Sequence, residues 1–234
     1  MPQGAEQMRP DAILVELDGI VLDTFAARRQ ALSEALQAHQ VELTDAEYWE
    51  WCAGWPAARA IEAIARERRL PMDPTDLELA RLRAERALAM SLGKGTILAD
   101  GARSALERLA TRHRLAGVTR LRRADVAPIL ELARLEHAFA FVIGAEDATA
   151  DKPDPAPYQL ALRRLGRYRG GSSGTVVALE NGVAGIRSAQ AAGLPCIAVG
   201  PQPAHVALEA SAYVPSLAVL DSATLTTLLA PPLQ

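Results

Sequence analysis

The hydrophobic positions of this chain follow two different spacings. Wholly apolar runs of about four to eight residues are typical of strands buried on both faces, whereas apolar residues three and four apart indicate amphipathic helices. Strands are predicted at 12–17, 115–119, 140–146, 174–181 and 195–200. Helices are predicted at 31–39, 58–69, 70–90, 102–113, 126–139, 154–166, 185–193 and 223–229.

The order of these elements predicts the fold class. From residue 97 onward helices and strands alternate, which favours a parallel sheet covered by helices on both faces. The stretch just after the first strand shows only helical patterns. We therefore predict an α/β protein with a doubly wound, Rossmann-like parallel sheet as its core and an inserted α-helical cap domain. The expected parts are a flexible tail at 1–10, a core domain at 11–24 and 93–234, and a cap at 25–92.

Composition and charge exclude several classes of function. The 234 residues are half hydrophobic, which suffices for a large core, and the net charge of −3 offers no basic field for nucleic acid. No apolar stretch reaches the roughly 18–20 residues that cross a bilayer, and no apolar signal core is seen near the first residue. We expect a cytoplasmic protein without nucleic-acid or membrane partners. Cys52 and Cys196 lack a CxxC partner and are expected to be free thiols.

Polar residues follow four of the predicted strands. Because the carboxyl ends of parallel strands meet at one edge of a sheet, we expect these side chains to converge. Grouped carboxylates require a cation, their oxygens suit Mg²⁺, and a lysine and a hydroxyl complement phosphate oxygens. The pattern predicts a Mg²⁺-assisted phosphoryl-transfer site. The residues are Glu16, Asp18, Thr119, Lys152, Glu180 and Asn181.

Four motifs, in this order and spacing, resemble those of the haloacid dehalogenase superfamily. The likeness extends over about residues 12–220 and is greatest to the branch of phosphoglycolate phosphatase-like and β-phosphoglucomutase-like proteins. It implies a Mg²⁺-dependent phosphatase or phosphomutase that acts on a small phosphorylated metabolite, with a helical cap between the first and second motifs. The motifs are ELDGIVLDT (16–24), VT (118–119), DKPDPAPY (151–158) and VVALENGVAGIRSAQAAG (176–193).

The resemblance implies a role for each residue of the candidate site. Glu16 takes the place of the family's aspartate nucleophile, and Asp18 that of the general acid/base. Thr119 and Lys152 would hold the substrate phosphate, and Gly19, which matches the glycine of the first motif, is a candidate for substrate binding. The implied Mg²⁺ ligands are Glu16, Asp18, Glu180 and Asn181.

Candidates for further substrate contacts lie outside these motifs, with a small cap core and a solvated helix start as the alternative interpretations. Gly54 falls where family caps carry a substrate-facing turn, so Trp55 and Arg59 are candidates for substrate binding. Arg120, directly after Thr119, is a candidate contact for an anionic ligand.

Three positions depart from the family pattern. Glu16 replaces aspartate, Asn181 replaces an aspartate that binds Mg²⁺, and Ile20 stands where threonine is common. A glutamate carboxylate lies roughly 1–1.5 Å further from the backbone than that of aspartate. A misplacement of about 1 Å can slow catalysis on the order of 10²-fold, and Asn181 removes an anionic metal ligand.

These departures leave three interpretations open. In the first, the protein is a hydrolase with impaired catalysis in which Glu16 attacks phosphorus. In the second, it is catalytically inactive and has a binding or regulatory role. In the third, water attacks the bound ester directly, with Asp18 as the base and no covalent intermediate.

Overall fold

The chain divides into two units. One, the core unit, comprises the described residues up to Leu22 and from Leu98 onward, and the other, the helical unit, runs from Asp23 to Leu92. The tail predicted at 1–10 lies outside the described residues except for Pro10. The computed structural model describes residues 10–53, 55–92, 98–168 and 175–230.

Six strands form a parallel sheet in the core unit. Their bounds are β1 Ala12–Val15, β2 Arg114–Val118, β3 Val142–Ile143, β4 Val176–Glu180, β5 Cys196–Val199 and β6 Ala212–Val214. The spatial order is β3-β2-β1-β4-β5-β6, so the chain winds outward from β1 in one direction and then in the other. This confirms the predicted doubly wound sheet. Its switch point lies between β1 and β4, where ligands bind in open α/β sheets.

Helices cover this sheet, which explains why its central strand β1 is wholly apolar. All four residues of β1 are completely buried. Leu14 packs in one hydrophobic cluster with Ala161 and Ile186 of two covering helices. The helices of the core unit are α5 Ala102–Ala110, α6 Arg123–Leu132, α7 Ala156–Tyr168, α8 Val183–Ala191, α9 Ala204–Ala207 and α10 Ser222–Leu229.

An all-helical unit interrupts the α/β chain after β1, as the predicted fold class requires. It is held by its own apolar cluster, which includes Leu36, Ile61 and Ile64. None of the described helices is both long and apolar enough to span a bilayer. The elements of this unit are α1 Phe25–Ala35, α2 Asp45–Glu47, a π-helical turn at Tyr48–Cys52, α3 Ala57–Glu67 and α4 Pro74–Leu92.

Two strands differ from the sequence prediction. The strand predicted at 140–146 is only Val142–Ile143, because the Gly144 N–H donates to the Asp147 carboxylate at 2.9 Å and the chain turns there. The short strand Ala212–Val214 has no counterpart in the prediction, since three residues are too few to show a spacing.

The start of α4 also differs in detail. Thr75 or Asp76 is favoured as its N-terminal cap by the sequence, but Asp73 has that role. The Asp76 N–H donates to the Asp73 carboxylate at 2.9 Å, and the Asp76 carboxylate accepts from the Asp73 N–H at 3.2 Å. This reciprocal pair satisfies two N–H groups at the helix start.

Both cysteines are buried free thiols, as predicted. Burial, followed by the nearby Glu47 carboxylate, raises the pKa of Cys52 to about 12. Burial also raises the pKa of Cys196. Each thiol therefore stays protonated near neutral pH, which argues against a role as nucleophile or metal ligand.

Candidate active site

A buried lysine joins the carboxyl ends of the central strands. Lys152 Nζ donates to Glu16 Oε2 at 2.8 Å, to Glu180 Oε1 at 2.5 Å and to the Val118 carbonyl at 2.8 Å. The three ionisable side chains are each 5% exposed or less. An ammonium group has three N–H bonds, so all of them are used. The structure thus brings together Glu16, Lys152 and Glu180, as the strand order predicts.

The charges within this cluster are unequal. Two carboxylates, of Glu16 and Glu180, face one ammonium. Burial lowers the pKa of Lys152, but the two carboxylates outweigh it and the pKa is raised overall, so the lysine is charged. Burial raises the pKa of Glu180, and the Glu16 carboxylate adds to that effect against the opposing attraction of Lys152. The cluster therefore favours an additional proton or donor near Glu180.

Two residues that the sequence analysis did not single out complete the surroundings of Glu180. Tyr158, fully buried in the first turn of α7, donates its hydroxyl to Glu180 Oε1 at 2.6 Å. A Cβ atom on Gly185 would collide with the Glu180 carboxylate, so the glycine allows helix α8 to lie against that carboxylate. Tyr158 lies in the same sequence motif as Lys152, and Gly185 lies in the same motif as Glu180. Their sequence spacing from these two residues was the signal that could have identified them.

Replacing Tyr158 by phenylalanine should destabilise the fold by about 1.5–3 kcal/mol, because a buried hydrogen bond to a charged group is lost. Urea denaturation followed by circular dichroism measures the change. Tyr213→Phe is the control, since Tyr213 is 44% exposed and its loss of a hydroxyl should change stability by less than about 0.5 kcal/mol. Equal effects of the two substitutions would show that the Glu180 contact is unimportant.

Glu16 is folded back onto its own chain. Its Oε1 accepts from the Leu17 N–H at 2.8 Å and from the Asp18 N–H at 3.0 Å, while Oε2 accepts from Lys152. A buried carboxylate is costly unless it is paired and hydrogen-bonded, and these three donors meet that requirement. Both oxygens of Glu16 are consequently engaged within the chain.

Asn181, directly after β4, contacts the loop that follows β1. Its side-chain Nδ2 donates to the Asp18 carbonyl at 2.9 Å, and its backbone N–H donates to Glu180 Oε2 at 3.1 Å. Gly19 makes room for this amide, because a Cβ there would collide with Asn181, and its φ of 80° is a left-handed conformation. The role of Gly19 in this structure is to shape the loop.

This arrangement does not fit a Mg²⁺ ion. Mg²⁺ needs oxygen ligands, whereas Asn181 turns an N–H toward the Asp18 carbonyl and N–H or O–H donors face oxygens of Glu16 and Glu180. Among the residues that the structure describes, no group of three or more His, Cys, Asp or Glu side chains is placed to hold a metal ion.

Thr119 is buried and directly follows Val118, the last residue of β2, whose carbonyl accepts from Lys152. Its backbone N–H donates to the Ile143 carbonyl at 2.9 Å, which continues the sheet pairing with β3. Its hydroxyl oxygen accepts from the Leu121 N–H at 3.3 Å. A hydroxyl can donate as well as accept, so Thr119 retains a proton that can be donated to a ligand.

Arg120 carries an unsatisfied donor. Its Nη1 atom is buried and has no hydrogen-bond partner, whereas the neighbouring Arg122 pairs with Asp125 at 2.9 Å. A buried charged donor without a partner is unfavourable and calls for an explanation. An anionic ligand oxygen would supply one, which keeps the predicted anion contact of Arg120 as a proposal.

Trp55 and Arg59 lie in the helical unit, where the Arg59 guanidinium carbon is 3.7 Å from the centre of the Trp55 ring. This is a cation–π contact. Gly54, the predicted turn, lies outside the described residues. Trp55 and Arg59 line a cavity of about 620 Å³ together with Glu50, Trp51, Pro56, Ala58, Glu62, Ala63 and Arg66. Their role in substrate binding stays a prediction.

The structure is that of a doubly wound α/β protein with a helical insert and a charged cluster at the switch point of its sheet. Residues 13–199 match the model of the haloacid dehalogenase-like hydrolase family, and the chain belongs to this family.

Its relatives lie in the branch of phosphatases and phosphomutases. Protein CbbY of Cereibacter sphaeroides is 30% identical over 201 residues, covering 80% of this chain and 83% of CbbY. The phosphoglycolate phosphatase of Yersinia pestis is 27% identical over 191 residues, covering 79% of this chain and 78% of the enzyme. The structure of β-phosphoglucomutase from Clostridium difficile superimposes with a TM-score of 0.74 at 15% identity, covering 94% of this chain and 97% of the mutase.

Proposed function

We propose that this protein recognises the phosphate group of a small phosphorylated metabolite at the carboxyl edge of its sheet and hydrolyses or transfers it with impaired catalysis. The observation that carries this proposal is the state of Glu16. It lies beside Lys152 in the nucleophile's place, yet both of its oxygens are already hydrogen-bonded within the chain. The phosphoglycolate phosphatase relative supports a small phosphorylated substrate.

Each residue has a definite task in this proposal. Lys152 and Thr119 hold phosphate oxygens, and Arg120 supplies a further N–H. Once Glu16 Oε2 has left Lys152, it bonds to phosphorus while the P–O bond to the leaving alkoxide breaks, and Asp18 gives its proton to that alkoxide. Asp18 then takes a proton from the water that attacks the phosphorus of the glutamyl phosphate, which releases inorganic phosphate and restores the Glu16 carboxylate. The release of Glu16 from its donors adds to the activation barrier, which is why the rate is low.

Metal affinity is expected to be weak. Phosphatases of this family generally use Mg²⁺ to neutralise charge on the transferred phosphoryl group. To offer an oxygen, the Asn181 amide must first give up its hydrogen bond to the Asp18 carbonyl and turn over. That rearrangement and the missing negative charge both reduce the affinity.

The second candidate is a catalytically inactive protein with a binding or regulatory role. It is favoured by the contact between Asn181 and the Asp18 carbonyl, because this contact ties the loop after β1 to β4 without a metal ion. Under this alternative the charged cluster serves to maintain a ligand pocket.

The deciding experiment is phosphate release with Mg²⁺ from p-nitrophenyl phosphate, phosphoglycolate and a panel of sugar phosphates. We expect a best turnover below about 0.1 s⁻¹, on the order of 10²-fold under a typical enzyme, and its loss in Glu16→Gln. Glu146→Gln, at an exposed glutamate, is the control and should keep the wild-type rate. Turnover near 10 s⁻¹ that survives Glu16→Gln would contradict the proposal. Complete absence of turnover would favour the inactive alternative.

A further inference from the structure

Helix α4, the longest helix that the structure describes, has two unlike faces. Ala80, Ala84 and Leu92 are buried, and the two alanines belong to the apolar cluster of the helical unit. The opposite side of the helix is exposed, and residues three, four or seven apart share it. This side, called here the outer face of α4, consists of Asp76, Leu79, Leu82, Arg83, Arg86 and Met90.

Three large apolar side chains of the outer face are in contact with water. Leu79 is 44% exposed, Leu82 is 49% exposed and Met90 is 58% exposed. A single exposed apolar residue is ordinary, but three along one side of a helix form a stripe that is typical of helix–helix contacts. The helical unit itself does not cover this stripe.

The charges of the outer face are segregated along the helix. Asp76 lies in the first turn, before the two leucines, whereas Arg83 and Arg86 follow them. Within the described part of the chain neither arginine has an ion-pair partner, while Arg81, off the outer face, is paired with Glu78. The outer face therefore has an acidic end, an apolar middle and a basic end.

This order of charges is complementary to itself in one orientation. In an antiparallel pair of helices the acidic end of each meets the basic end of the other, whereas a parallel pair brings like charges together. The two-fold symmetry of such a pair places the same face of both copies in contact. We infer that α4 pairs antiparallel with α4 of a second copy of this chain, at the centre of a symmetric dimer.

The spacing of the residues fits one register of this pair. When Leu79 of one copy lies against Leu82 of the other, Asp76 of each copy lies opposite Arg86 of the other. The midpoint between Leu79 and Leu82 and the midpoint between Asp76 and Arg86 differ by half a residue, which is under about 1 Å along the helix. One register therefore satisfies the apolar and the charged contacts together.

The dimer is expected to be weak. A single pair of helices buries less than the roughly 1,200 Å² that stable interfaces need, so we expect a dissociation constant on the order of 10–100 µM. The inference rests on α4 alone. It holds whether or not the charged cluster of the core unit hydrolyses phosphate esters.

Sedimentation equilibrium of the full chain, without ligand and from about 1 to 500 µM, measures the association. Leu82→Glu puts a carboxylate into the apolar middle of the outer face and should weaken dimerisation at least about tenfold. Leu208→Glu is the matched control, because Leu208 is 83% exposed and lies in the core unit. It should leave the dissociation constant within about twofold of the wild type.

Two charge variants test the antiparallel orientation. Asp76→Arg makes both ends of the outer face basic, and Arg83→Asp with Arg86→Asp makes both ends acidic. Each variant alone should associate at least about tenfold more weakly than the wild type, because like charges then meet at both ends. An equimolar mixture of the two should form a heterodimer within about threefold of the wild-type dissociation constant, since every end then meets its opposite.

Recovery of association in the mixture also shows that both variants are folded, and circular dichroism checks Leu82→Glu. A wild type that stays monomeric over the whole concentration range would leave the outer face to a different partner and overturn the inference. The inference is equally wrong if Leu82→Glu associates like the wild type, or if mixing the two charge variants gives no more association than each shows alone.

Discussion

The double substitution Glu16→Asp with Asn181→Asp should raise Mg²⁺-dependent phosphatase turnover by at least about 10²-fold over the wild type. The shorter side chain places the carboxylate roughly 1–1.5 Å nearer the backbone, in the position that the family uses for attack. The second aspartate cannot donate to the Asp18 carbonyl, so it removes the hydrogen bond made by Asn181 and adds a negative oxygen ligand. Steady-state phosphate release measures the effect.

The single substitutions separate the two contributions. Each alone should raise turnover less than the pair does, because attack and metal binding act together in one transition state. Activity of the double variant should disappear with EDTA and return with Mg²⁺. The matched control is Asp23→Glu with Glu146→Gln, which alters acidic residues outside the cluster and should leave the rate unchanged. A double variant no faster than the wild type would show that the two departures are not what limits catalysis.

Lys152→Met should destabilise the protein by about 3–5 kcal/mol, the largest stability change that we expect from one substitution. Its removal leaves the carboxylates of Glu16 and Glu180 buried near one another without a counter-charge, and it leaves the Val118 carbonyl without this donor. The midpoint of urea denaturation should fall accordingly, and equilibrium unfolding of wild type and variant measures the difference.

Two comparisons show whether uncompensated charge is the cause. Arg187→Met removes an exposed partner of Glu209 and should change stability by less than about 1 kcal/mol. Adding Glu180→Gln to Lys152→Met should recover part of the loss, because one of the two unpaired carboxylates becomes neutral. If adding Glu180→Gln destabilises the protein further, the stability lost in Lys152→Met comes mainly from packing of the lysine side chain and not from its charge.

The sheet and the convergence of charged residues could be predicted because both follow from simple spacing rules. Apolar runs between amphipathic helices specify a parallel sheet, and the ends of its strands must meet at one edge. That is why Glu16, Lys152 and Glu180, which are distant in sequence, could be assigned to one cluster from the sequence. Among the strands, prediction and structure differ most at the sheet edges, where β3 and β6 are very short.

The orientation of side chains within the cluster could not be predicted in the same way. A glutamate at the end of a strand can extend toward a ligand or fold back onto the next N–H groups, and the sequence does not distinguish these rotamers. The same holds for Asn181, which has an oxygen and a nitrogen on one short side chain. Tyr158 was missed because a buried aromatic residue in a helix is ordinarily part of the core.

The position of β1 in the middle of the sheet has a consequence for synthesis of the chain. Ala12 pairs with Arg114 on one side and with Val176 on the other. A ribosome adds about 5–20 residues per second, so on the order of ten seconds pass between the synthesis of β1 and that of the last strand of the sheet. During translation the nascent chain therefore carries an apolar strand without its final neighbours, and the charged centre can assemble only after β4 has emerged from the ribosome.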